Sequence, residues 1–223
     1  MPELTSAGSP AAESSGTGSP IEDDLEFAPV SESELAFEGK VWNVRRDRFG
    51  YNDSSIVREY VEHTGAVAVL ALDDQGRVLL IKQYRHPVRV RDWEIPAGLL
   101  DVEGEDALAA AQRELAEEAD VQASQWSVLT DFYTSPGGSS EAIRIYLARG
   151  LSGLDAFDRT EEEADIELRW VPLDECVDAA LARRIQNPSL LLGVLAAQAS
   201  KARDWSTLAP ADAPWPRHPS NWR

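Results

Sequence analysis

The stretch Arg113-Glu114-Leu115-Ala116-Glu117-Glu118 ends an alanine-rich segment in which Leu108, Ala111, Leu115 and Ala119 recur at helical spacing, with Asp106 as a suitable N-cap. At about 100° per residue, Glu118 projects roughly 40° from Glu114, and Glu117 roughly 60° away on the other side. Three carboxylates therefore share one helical face. Glu118 borders the apolar stripe, Glu114 comes next, and Glu117 is the most exposed. Like charges at i,i+4 repel by a few tenths of a kcal/mol, and acids near a helix C-terminus oppose its dipole. A helix carrying both penalties needs a cation beside it. Oxygen-only ligands suit a hard ion, Mg²⁺ or Mn²⁺, of the kind that chelates phosphates.

Strand patterns surround this helix. Gly39–Phe49 and Ile56–Glu62 read as two strands joined by the polar turn Tyr51-Asn52-Asp53-Ser54. Gly65–Leu72 and Arg77–Tyr84 flank Asp73-Asp74-Gln75-Gly76, a hairpin signal. Trp93–Ile95 is a short strand before Pro96, and strands recur at Trp126–Tyr133, Ile143–Ala148 and Ile166–Val171. Two helices follow, Leu173–Arg184 and Pro188–Lys201, the second with proline at its first position. A helix between strand groups, then more strands and helices, predicts an α/β fold: a mixed sheet with helices on both faces.

The ends differ from the middle. Residues 1–28 are rich in Ser, Gly, Pro, Ala and acid and read as a disordered arm. Residues 29–64 form an N-terminal antiparallel strand segment, 65–203 the main domain, and 204–223 a tail with three tryptophans and four prolines. That tail covers the domain's own surface on the simplest account.

A formal net charge of −18 argues against nucleic-acid or anionic-membrane partners, which require a basic footprint. It leaves a small phosphorylated substrate open, because bound metal reverses the local sign. The single Cys176 excludes an intrachain disulfide and fits a reducing compartment. With no secretory signal and no membrane-length apolar run, a cytoplasmic location is expected. His63, His86 and His218 share no ligand spacing, so a zinc site is not expected.

The segment from Gly98 to Glu105, followed by Arg113-Glu114-Leu115-Ala116-Glu117-Glu118-Ala119-Asp120-Val121, resembles the Nudix box, the signature of nucleoside-diphosphate-linked hydrolases. Two departures stand out. The spacing from Gly98 to Glu105 is one residue longer than usual, and Asp120 replaces a glycine. A loop absorbs the first, and Asp tolerates the left-handed C-cap required by the second. The flanks Gln83-Tyr84-Arg85-His86-Pro87, Glu94-Ile95-Pro96-Ala97-Gly98, Ser135-Pro136-Gly137-Gly138 and Glu161-Glu162-Glu163-Ala164-Asp165-Ile166 look like those of ADP-ribose pyrophosphatases.

The resemblance implies a Nudix-type α/β/α sandwich that hydrolyses ADP-ribose to AMP and ribose 5-phosphate, with two or three divalent ions, Mg²⁺ or Mn²⁺, bridging the diphosphate. It assigns Glu114 and Glu118 as metal ligands, Glu117 as a ligand or its support, and the Ala97 carbonyl as a further oxygen. Glu105 and Arg113 hold the loop–helix geometry, and Glu162 or Glu163 supplies the general base. Arg58 and Arg85 face the diphosphate or adenine, Gly137 and Gly138 bring backbone N–H groups to the terminal ribose or phosphate, and Trp42 stacks on adenine or packs at an interface. A homodimer with exchanged N-terminal strands is implied as well. Other sugar nucleotides or dinucleoside polyphosphates are alternative substrates. A non-catalytic ADP-ribose-binding regulator is the alternative from a different class, disfavoured because every ligand carboxylate is intact.

Overall fold

The computed structural model describes residues 21–155 and 166–222. Its centre is strand β4 (Ala66–Ala71), buried along its whole length. Alternation splits its side chains between two cores. Ala66, Ala68 and Leu70 face one cluster, whereas Val67, Val69 and Ala71 face the other. A strand apolar on both faces must be covered on both faces. The helix α1 (Ala107–Ala119) packs through Ala110, Ala111 and Leu115 on one side. The helices α2 (Leu173–Leu181) and α3 (Pro188–Lys201) cover the other through Leu173, Cys176, Leu190, Val194 and Ala197. Each fully buried aliphatic side chain contributes about 1.5–3 kcal/mol.

The sheet holding β4 is mixed, as expected. β4 runs parallel to β9 (Ala142–Gly153) and antiparallel to β7 (Ala97–Leu99). β8 (Val121–Tyr133) and a two-residue β11 (Ala209–Pro210) extend the far side. A second sheet orders β10 (Glu167–Pro172), β5 (Arg77–Arg85) and β6 (Val90–Glu94). The third joins β1 (Val30–Glu38), β2 (Asn43–Tyr51) and β3 (Ser54–Glu62) in antiparallel order.

The expected hairpin at Asp73–Gly76 forms as a turn but not as a ladder. Asp73 Oδ1 accepts from the Gln75 and Arg77 N–H groups, and Gly76 takes φ +74°. Only Leu72 and Val78 bridge; beyond them β4 and β5 part into different sheets. The physical reason is competition. Both edges of β4 are already taken by β7 and β9.

The tail packs as an irregular strap. The buried Arg144 makes a bidentate pair with Asp131 at 2.8 and 2.9 Å, donates to the Ala213 and Pro214 carbonyls, and lies 4.7 Å from the Trp215 ring. Arg217 reaches the Asp23 carbonyl at 2.6 Å, so the tail also holds the described end of the N-terminal arm. Residues 1–20 lie outside the described chain.

Candidate active site

Helix α1 is fixed at both ends. Asp106 Oδ1 accepts from the Ala109 N–H, and Asp120 adopts the left-handed conformation (φ 54°, ψ 36°) while its N–H donates to the Ala116 carbonyl. That anchoring aims the carboxylates at the short strand β7. A methyl group at Gly98 would overlap the Glu114 side chain, so glycine here leaves the carboxylate its place against the strand. Glu118, 5% exposed, accepts from the Ala97 N–H at 2.9 Å.

The electrostatics are unfavourable for Glu118 alone. Burial, aided by the charges of Glu114 and Glu94, pushes its carboxyl up to about 8, against the opposing Ala97 N–H and Arg85. Arg113 neutralises its neighbours. Its guanidinium grips Glu105 twice at 2.9 Å and reaches Glu114 at 2.6 Å and Glu117 at 3.1 Å. Those carboxylates hold its pKa above the ordinary arginine value. The Glu105 pair ties the loop before α1 to the helix. Because Arg113 draws Glu114 and Glu117 to itself, the described residues contain no group of three acidic, His or Cys side chains converged on one point. Yet the donor chemistry fits a divalent cation. All candidate ligands are hard oxygens, and a carboxylate raised chiefly by burial, with Glu114 and Glu94 adding to it, would gain a counter-charge from a cation.

The grading of exposure follows the helical wheel. Glu118 is buried, the Glu114 side chain is nearly so, and that of Glu117 is 43% exposed. Ala97 and Gly98 form the wall between these carboxylates and a cleft of about 420 Å³. Arg85 and Trp42 line the same cleft. Arg85 is engaged in a bidentate pair with Glu94, both bonds 2.7 Å, and Glu94 is 2% exposed. Trp42 stacks on His63, with centroids 4.2 Å apart and planes at 18°.

Three acidic or basic groups of this cleft were not singled out from sequence as functional: Glu94, His63 and Glu141. His63 Nδ1 accepts from the Gly65 N–H at 2.9 Å, which places the neutral ring's proton on Nε2, 3.2 Å from Glu141. Burial lowers the His63 pKa, against the pull of Glu141. Thr134 donates to the other Glu141 oxygen. The available signal was alternation. Gln83 and Arg85 are polar residues two apart on one face of β5, and both point at Glu94.

Arg58, Gly137 and Gly138 lie elsewhere. They line a separate groove of about 520 Å³ with Phe27, Tyr60 and Tyr133. Arg58 donates to the Val57 carbonyl, and Gly138 closes a turn whose carbonyl accepts from Val61. Within one chain the structure does not bring them to the cleft. Glu162 and Glu163 fall outside the described residues.

The NUDIX domain model matches residues 62–191, and the chain belongs to that family. Within it, the chain is 42% identical over 196 residues to an ADP-ribose pyrophosphatase of Mycobacterium tuberculosis (strain ATCC 25618 / H37Rv), covering 87% of this chain and 94% of that one. It is 35% identical to an ADP-ribose pyrophosphatase of Bacillus subtilis (strain 168), covering 72% and 86%. It is also 34% identical to a methanol dehydrogenase activator of Bacillus methanolicus, covering 76% and 92%. A solved ADP compounds hydrolase shares the fold, with a TM-score of 0.67 at 20% identity over 82% of this chain.

Proposed function

We propose that this protein hydrolyses the diphosphate of ADP-ribose, giving AMP and ribose 5-phosphate. The observation that carries the reading is Glu118. A carboxylate this buried, beside two further acids and raised to about 8, is tolerable at neutral pH when a cation joins it. Similarity to two ADP-ribose pyrophosphatases over most of the chain supports the choice of substrate.

Glu114, Glu118 and the Ala97 carbonyl would hold the divalent ions, Mg²⁺ or Mn²⁺, with Glu117 as ligand or support. When bound, the ions polarise phosphoryl oxygens and offset developing negative charge. The chain's own residues do the rest. Arg113 fixes the acidic face through Glu105, and Arg85 presents its guanidinium from the cleft wall. Glu162 or Glu163 takes the proton from the attacking water. Trp42 offers a flat ring to adenine at the cleft mouth.

We further propose a homodimer built on the β1–β3 sheet, acting in the cytoplasm. Strand β1 is exposed throughout, with Phe37 61% and Val30 55% accessible, and such apolar surface favours a partner. The partner subunit's contribution would bring Arg58, Gly137 and Gly138 toward substrate. No helix among the described residues is long and apolar enough to cross a membrane.

The test is a panel of ADP-ribose, GDP-mannose and dinucleoside polyphosphates with Mg²⁺ or Mn²⁺. AMP should appear fastest from ADP-ribose. Equal rates across the panel would remove the substrate assignment, and tight binding without turnover would leave a regulator.

A further inference from the structure

Trp42 and Glu141 line the same cleft but come from loops far apart in sequence. Trp42 lies in the connection between β1 and β2 and is 38% exposed. Glu141 lies just before β9. Both touch one residue, His63. Its ring lies flat against the Trp42 indole, and its Nε2 is 3.2 Å from a Glu141 oxygen.

His63 is itself closely held, with its side chain 6% exposed. Its backbone N–H donates to Ser140 Oγ at 3.0 Å, and the Ser140 N–H donates back to the Val61 carbonyl at 3.1 Å. Its Nδ1 accepts from the Gly65 N–H at 2.9 Å. Gly65 takes φ +89°, a backbone turn that glycine adopts without strain. A backbone N–H can only donate, so Nδ1 is the acceptor and the ring proton sits on Nε2, toward Glu141. Burial lowers the His63 pKa against the pull of Glu141, which keeps the ring uncharged at neutral pH.

One fixed ring thus presents a face to an aromatic group and an N–H to an acid. Aromatic stacking restricts an exposed indole to one plane. The Glu141 carboxylate is bonded through both oxygens, to His63 on one and to the Thr134 hydroxyl on the other, so it turns only by breaking a bond. In a site that places a diphosphate, displacing a positioned group by about 1 Å can cost on the order of a hundredfold in rate. We infer that His63 is a positioning residue for the proposed hydrolysis: its ring face sets the plane of Trp42 for adenine, and its Nε2–H fixes the Glu141 carboxylate in the cleft. The inference rests on the reading of the cleft as the ADP-ribose site.

Two variants separate the two contacts. H63F keeps a flat ring and loses the donor, whereas H63Q keeps a donor and loses the ring. With ADP-ribose and Mg²⁺, H63F should lower kcat about tenfold with KM within about twofold. H63Q should raise KM about fivefold with kcat within about twofold. Wild-type kinetics in both variants would overturn the inference. So would the same loss in both, which is what a merely structural residue gives; thermal melting checks that each variant folds. NMR of metal-free protein carrying ¹⁵N-histidine reads the tautomer without turnover, the H63Q spectrum identifying the signal. A neutral ring with its proton on Nε2 is expected, and a proton on Nδ1 would overturn the geometry. If wild-type protein hydrolyses no ADP-ribose, the proposed activity fails. Calorimetry with AMP in EDTA then decides the Trp42 contact: H63Q should weaken AMP about fivefold and H63F less than about twofold. Equal AMP affinity in the two variants would overturn that contact.

Discussion

The two ends of strand β3 open onto regions built on opposite principles. Downstream, β4 is sealed between two apolar cores, and Glu118 near it is buried with its pKa raised. Upstream, β1 is exposed throughout and ion pairs run across the β1–β3 sheet. Arg46 reaches Glu34 at 2.7 Å on one side and Glu59 at 2.8 Å on the other, and Arg45 and Arg48 pair with Glu62 and Glu32. Exposed pairs of this kind contribute little to stability. The comparison separates charge that serves architecture from charge that opposes it. In the outer sheet Glu32, Glu34, Glu59 and Glu62 each meet an arginine across the strands. At the end of α1 burial is imposed on Glu118 without that relief, which the proposed cation would supply.

The largest expected effect breaks this contrast at its centre. E118Q should lower kcat on ADP-ribose by on the order of a thousandfold while circular dichroism stays native. A near-wild-type rate would show that the buried acid is not a ligand.

The second effect is on stability and needs no substrate. In metal-free protein, folding lifts the Glu118 pKa from an ordinary 4.5 to about 8. The folded state therefore holds a proton that the unfolded state releases between those values. Stability from this group is complete below about pH 4.5 and is lost as pH rises through about 8, on the order of a few kcal/mol. Urea unfolding in EDTA from pH 5 to 8 should show the decline in wild type and a flatter profile in E118Q. Parallel profiles would contradict it.

The smallest effect concerns packing. L115A removes a fully buried side chain between α1 and the sheet and should cost about 2–5 kcal/mol. L35A, at a side chain 46% exposed on β1, should change monomer stability by less than about 1 kcal/mol. Comparable losses for the two would mean that the outer sheet is packed in solution as tightly as the core.

Much of the carboxylate face was legible because it is local. A single helical wheel ranks Glu118, Glu114 and Glu117 by exposure, and the structure keeps that order. Asp120 as a left-handed cap and Pro188–Lys201 as a helix likewise depend on neighbours in sequence. The rest depends on strand pairing. Strand β1 was read only as part of the 29–64 strand segment, without bounds of its own, because its acids have low strand preference and the arginines that offset them lie on β2. Three-residue β7 is defined only by its partner β4. Glu94, His63 and Glu141 converge from β6, the β3–β4 connection and the loop before β9. No spacing along the chain announces such a meeting.

The most direct test of the account is Mn²⁺ binding followed by electron paramagnetic resonance, with and without ADP-ribose, in wild type and E118Q. The account predicts saturable binding in wild type that strengthens with the nucleotide and is largely lost in E118Q. Identical binding in both proteins would contradict it.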